Sequence, residues 1–167
     1  MLASFPLPGG DFGTYLTLGQ MRGAVLREFM LPDVRLLASQ IAGPYGADGA
    51  SQAVAIRAWL EDHVQFLRDP DGVEMLHGPA WQVRRALTHG TVYVDCDDVA
   101  VLAAALGKAA GLKARFVVVG FGSPKAPYRH VWTELAAPGS SQWIECDITR
   151  PSQGLPESAS RVLRVGV

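Results

Sequence analysis

The stretch that decides the fold reads Asp95-Cys96-Asp97-Asp98-Val99-Ala100-Val101-Leu102-Ala103-Ala104-Ala105-Leu106-Gly107-Lys108-Ala109-Ala110-Gly111-Leu112-Lys113-Ala114-Arg115-Phe116-Val117-Val118-Val119. Its first half puts Val99, Leu102, Ala103, Leu106 and Ala110 on one face of a helix, and Gly111 is a natural stop. Its second half is a near-continuous apolar, β-branched run. That pattern predicts a strand covered on both faces and central in its sheet. Downstream the period stays at two. A second strand is predicted over residues 128–135 and a third over 142–148, joined by the turn residues Pro138-Gly139-Ser140-Ser141, with a short last strand over 161–165. Upstream the pattern is helical. Residues 18–31 carry Met21, Val25, Leu26 and Phe29 up to Pro32. Residues from Asp33 carry Val34, Leu36, Leu37 and Ile41 up to Gly43-Pro44. Residues 49–68 carry Ala53, Ile56, Leu60, Val64 and Leu67. His63 lies beside this last stripe and reads as a helix-surface or core-edge histidine rather than a catalytic one. Residues 69–95, broken by Asp69-Pro70-Asp71-Gly72 and Gly78-Pro79, read as irregular, and the Pro- and Gly-rich residues 1–14 as an extended N-terminal arm. Helices followed by an antiparallel sheet define an α+β fold, and 167 residues suit one domain spanning the chain.

Composition excludes several classes. Fifteen Lys and Arg against sixteen Asp and Glu, scattered along the chain, give no basic patch for nucleic acid. No apolar run approaches the roughly 20 residues of a membrane span. The N-terminus has neither a basic start nor a long apolar stretch, so a cytoplasmic site of synthesis is expected rather than secretion. The two cysteines, Cys96 and Cys146, form no C-x-x-C pair, which argues against a disulfide framework and a structural zinc site.

The chemistry concentrates on three residues. Cys96 falls in the first turn of its helix, where unpaired backbone N–H groups and the helix dipole favour an anion. A thiolate is the nucleophilic form of cysteine. Asp95, Asp97 and Asp98 oppose it as like charges, and their cost is least if Asp95 caps the helix and Asp97 and Asp98 face its N-terminus and solvent. A positive partner is required. His130, on the second strand, would accept the thiol proton and later return one to a leaving group. Alternation puts His130 and Trp132 on one face and Val131 on the other. The turn between the second and third strands brings Asp147 beside His130, where it would fix the imidazole tautomer. Cys146 then faces away as a small buried hydrophobe. Trp132 and Trp143 either wall this site against water or are core aromatics, and Arg115 reads as a solvated strand residue or the partner of a carboxylate. A metal site built from Cys96, His130 and Asp147 lacks a fourth ligand at useful spacing, so no metal is assigned.

The order Asp95-Cys96-Asp97-Asp98, apolar helix, Ala114-Arg115-Phe116, His130-Val131-Trp132, then Trp143-Ile144-Glu145-Cys146-Asp147 resembles the core of the transglutaminase-like superfamily over residues 92–151. Residues 48–70 resemble, more loosely, the helix that precedes the family's nucleophile. Val94 departs from the pattern by standing where the family usually has Gly. The compact form is similar to proteins often encoded among phage virion genes. The resemblance implies a papain-like Cys-His-Asp arrangement with Cys96 as nucleophile, His130 as general base and acid, and Asp147 as orienter. It also implies attack on an amide or ester carbonyl through a thioester, on a protein or peptide substrate, with no cofactor. The oxyanion would be held by the Cys96 N–H and an upstream side chain, for which Tyr93, Gln82 and Trp81 are the candidates; Trp132 is a further substrate-side candidate. The alternative is a virion structural or assembly protein, incorporated in a phage particle beside other virion proteins, with the triad secondary.

Overall fold

A computed structural model describes residues 3–5, 10–69, 74–149, 154–156 and 158–167. The helical half comprises α1 (Gly10–Glu28), α2 (Pro32–Ala42), α3 (Gly49–His63), α4 (Pro79–His89) and α5 (Cys96–Ala109). The main sheet comprises β5 (Lys113–Phe121), β6 (Tyr128–Ala136), β7 (Ile144–Glu145) and β8 (Ala159–Gly166), all antiparallel, in the order β7-β6-β5-β8. Two small pairs complete it: β1 (Ala3–Phe5) runs antiparallel to β3 (Glu74–Leu76), and β2 (Val64–Phe66) runs parallel to β4 (Val92–Val94). The α+β class therefore stands. No described helix is long and apolar enough to cross a membrane.

Helix α5 is the hub. Every residue from Asp97 to Gly107 is buried, because the helix packs on β5 and β6 and on the other four helices. Its small residues allow close approach: a Cβ on Gly107 would collide with the Leu135 side chain of β6. Thr133 clamps the same contact by donating its hydroxyl to the Ala100 carbonyl at 2.6 Å. As its apolar run predicts, β5 is paired on both sides. Its alternation divides the core: Phe116 and Val118 pack with the helices, while Val117 and Val119 pack with Trp132 on the opposite face.

Four segments differ from the sequence reading. The expected extended arm is helical from Gly10, and Asp11 in the first turn is held by both Arg161 guanidinium nitrogens at 2.7 Å. The helix expected through residue 68 ends at His63, because Val64, Gln65 and Phe66 pair with β4 instead. Their β-branched and aromatic side chains suit a strand as well as a helical stripe. Of residues 69–95, read as irregular, those from 74 to 94 contain β3, α4 and β4, while the expected turn at Asp69-Pro70-Asp71-Gly72 lies, beyond Asp69, outside the described residues. Helix α4 starts with Pro79 at its first turn and ends at Gly90 with φ 78°, a pairing of stop and start signals that the Gly78-Pro79 break concealed. The third strand is short, although a Cys146 N–H bond to Thr133 O at 2.9 Å extends its pairing toward Asp147.

Candidate active site

Cys96 is the first residue of α5, and the Val99 N–H bond to the Asp95 carbonyl at 3.1 Å begins the helix. Asp95 occupies the N-cap in extended backbone but makes no side-chain capping bond. Asp97 accepts the Asp98 N–H at 3.0 Å. Asp97 and Asp98 are 3% and 1% exposed, so the condition of solvent-facing carboxylates, under which their opposition to a thiolate would be least, is not met. Asp98 turns inward to His77, accepting its backbone N–H on Oδ1 and meeting its Nδ1 with Oδ2, each at 2.6 Å. Burial pushes the Asp98 carboxyl up to about 6 against the lowering effect of these bonds, and the charge of Asp95 adds to the rise. Asp69, which accepts the Met75 N–H, is raised by the same two influences.

His130 lies on β6 with its ring 5.7 Å from that of Trp132, with which it shares a strand face. Its Nε2 is 2.6 Å from Asp147 Oδ2. The other carboxylate oxygen is fixed twice by Thr149, through its N–H at 2.9 Å and its hydroxyl at 2.8 Å. Asp147 is thus buried, oriented and satisfied, and leaves His130 Nδ1 as the nitrogen it does not engage. Cys96, His130 and Thr149 border one cavity of about 720 Å³, with Asp95 and Asp97 beside the thiol and Gly13 and Thr17 of α1 forming part of the far wall. Cys96 is partly exposed. Cys146 is fully buried, and burial pushes its thiol up to about 12.

The other residues singled out from sequence lie apart from this cavity. Trp81 and Tyr93 border a second hollow of about 320 Å³ with Arg85 and His89. Gln82 is fully buried and donates its amide to the His77 and Asp98 carbonyls at 3.1 and 3.0 Å. Trp132 is buried against Val117 and Val119. Trp143 lies under Arg115, whose guanidinium carbon is 3.9 Å from the ring centroid and which also pairs with Glu134. His63 is part-buried at the end of α3, where it stacks on Trp59 and bonds its carbonyl. Val94, in the place of the expected Gly, is a buried strand residue whose carbonyl accepts the Leu67 N–H at 2.8 Å. Among the described residues no group of three or more His, Cys, Asp or Glu is arranged to hold a metal. Two residues of the site were missed by sequence reasoning. Thr149 carried a usable signal, since a hydroxyl two residues after an aspartate often closes a local turn on it. His77 carried none.

A family model, the transglutaminase-like superfamily core, matches residues 35–148. The chain belongs to the transglutaminase-like superfamily. The match runs from α2 to the residue after Asp147 and contains Cys96, His130 and Asp147. Helix α1, which walls the cavity, and β8, which completes the sheet, lie outside it. No curated protein and no solved structure gives a significant match to the chain.

Proposed function

We propose that this transglutaminase-like protein is a cysteine-dependent amide hydrolase or acyltransferase acting on protein or peptide substrates. The observation that carries the reading is the Asp147-held His130, with one nitrogen engaged and the other free of Asp147, bordering the same cavity as the helix-start thiol of Cys96. His130 Nδ1 takes the thiol proton, and the thiolate attacks the substrate carbonyl. The resulting oxyanion is met by the Cys96 N–H at the start of α5, where the helix dipole favours an anion. His130 returns the proton to the departing amine or alcohol, leaving a thioester on Cys96. Water or an acceptor amine then attacks the thioester while His130 takes its proton. Collapse releases an acid or a new amide and regenerates the thiol. Asp147 holds the ring and stabilises its charged form throughout.

Iodoacetamide tests the first step. Near neutral pH Cys96 is expected to be alkylated faster than an ordinary thiol and Cys146 not at all in the folded protein. His130→Ala should slow Cys96 by about tenfold or more. A Cys96 rate equal to that of free cysteine and unchanged by His130→Ala would sink the proposal. A second reading, an assembly role in a phage particle, is favoured by β8, which lies at one end of the sheet order with β5 as its strand partner. In that case Cys96→Ala leaves particle assembly intact, whereas Val162→Lys on the exposed side of β8 abolishes it.

A further inference from the structure

A second imidazole–carboxylate pair sits at the same helix start and takes no part in the steps above. His77 and Asp98 are joined by two bonds of 2.6 Å, one from the His77 backbone and one at its ring, and Gln82 bridges their two carbonyls. The Trp81 ring stacks on the His77 ring at 4.3 Å between centroids, with the Arg85 guanidinium above Trp81. The side chains of His77 and Asp98 are 13% and 1% exposed, so the bonds operate away from water. Asp98 lies two residues after Cys96 in the first turn of α5. That turn has no side-chain bond from its N-cap residue, the usual device for fixing a helix start. The tie from Asp98 to the segment before α4 takes its place. Asp95 opposes the Asp98 carboxylate that His77 favours, and Asp69 interacts with His77 and Asp95.

We infer that His77 is a positioning residue for Cys96: by holding Asp98 it sets the first turn of α5 so that the thiol stands against His130. This rests on the reading of Cys96 and His130 as the reacting pair. Its function is geometric, and its consequence is confined to that pair. A residue that only stabilises the fold would affect the thiol regardless of whether His130 is present.

The test is a double-mutant cycle on the full chain, with iodoacetamide as probe and the second-order rate of Cys96 alkylation near neutral pH as readout. His77→Ala is expected to slow alkylation about fivefold in the otherwise unchanged protein and less than twofold in the His130→Ala background, a coupling within the range for residues acting through one another. His77→Asn, whose amide nitrogen occupies the place of Nδ1, is expected to restore the rate. It also keeps the test decisive if His77→Ala fails to fold, because Asn in the His130→Ala background must then be neutral and His77→Leu in the unchanged protein slow. Equal losses in both backgrounds, or no loss in either, overturn the inference while leaving the proposed function intact. No effect of His130→Ala by itself overturns the proposed function, and the inference falls with it.

Discussion

The two histidine–aspartate pairs are almost superimposable in chemistry and opposite in setting. In each, an imidazole nitrogen is 2.6 Å from a carboxylate oxygen, the imidazole is 12 or 13% exposed and the carboxylate 1 or 2%. The difference lies in what holds the second oxygen. Asp147 Oδ1 is occupied by Thr149, so His130 alone is oriented and its ring borders the cavity. Asp98 Oδ1 is occupied by the backbone of His77 itself, and the His77 ring is covered by Trp81. The first arrangement fixes a ring and leaves it a nitrogen to work with. The second fixes a chain segment. Distance and burial of a pair therefore do not distinguish a reacting imidazole from a tether; the partners of the remaining atoms do.

The sharpest way to break this comparison is to replace the carboxylate of each pair in turn. Asp147→Ala is expected to slow Cys96 alkylation near neutral pH by about tenfold, as far as His130→Ala does, because His130 loses its orienter. The corresponding loss for Asp98→Asn is expected to stay within about threefold, since Asn retains an acceptor for the His77 N–H. Comparable losses at the two positions, measured by mass spectrometry of labelled protein, would remove the distinction.

Both pairs depend on α5 staying where it is, and Gly107 packs that helix against Leu135 of the strand carrying His130. Gly107→Ala would force its methyl group into Leu135. Overpacking of this kind typically costs about 1–3 kcal/mol. The loss should appear as a lowered urea midpoint with little change in slope. Because the clash lies on the β6 side, it should also lower the His130-dependent part of Cys96 reactivity.

The sheet side of the comparison was legible in the sequence and the tether side was not. Helix 96–110, the central strand and its partner were readable because each shows one clear period over many residues. Those same elements carry Cys96 and His130 into place. Asp147 followed from the turn at residues 138–141, which fixes the pairing of β6 with β7. The tether lies in residues 74–89, where a three-residue strand and a short helix interrupted by Pro and Gly signals give no long period to read. Asp98 was misplaced for a related reason. A carboxylate in a first helical turn is normally solvated, and only a partner 21 residues away, supplied by tertiary structure, accounts for its burial. Helix α3 was overextended because Val64 and Leu67 continue its stripe, and the competing parallel strand at Val92–Val94 is not local.

The Asp98 carboxyl should also make stability respond to pH. Asp98 is raised to about 6 in the folded chain from an ordinary carboxyl value of 3.8. Between about pH 4 and 6 the folded state therefore binds more protons at this group than the unfolded state, and its contribution to stability is lost as pH rises through that window. Asp98→Asn removes the titration. Relative to that variant, the unaltered protein is expected to lose on the order of 2 kcal/mol between pH 4 and 6, read as diverging urea midpoints. Parallel midpoints across the window would mean that the Asp98 carboxyl titrates alike in both states.

The smallest expected effect tests the reacting pair from its outer side. Thr149 gives Asp147 two bonds, and only one of them comes from the side chain. Thr149→Val keeps the shape and the backbone N–H bond and removes the hydroxyl. A neutral donor to a carboxylate is worth about 1.5–3 kcal/mol when nothing replaces it, and less where a second donor already serves the same oxygen. Cys96 alkylation is accordingly expected to fall only about threefold, with the carboxylate still seated. Thr149→Pro removes the backbone donor and keeps no hydroxyl. If the orientation of Asp147 is what prepares His130, the proline variant must approach the loss seen with Asp147→Ala while the valine variant stays near the unaltered protein. A valine loss as large as that of Asp147→Ala would place the hydroxyl, which is also 3.4 Å from His130 Nε2, in direct contact with the working ring rather than behind it.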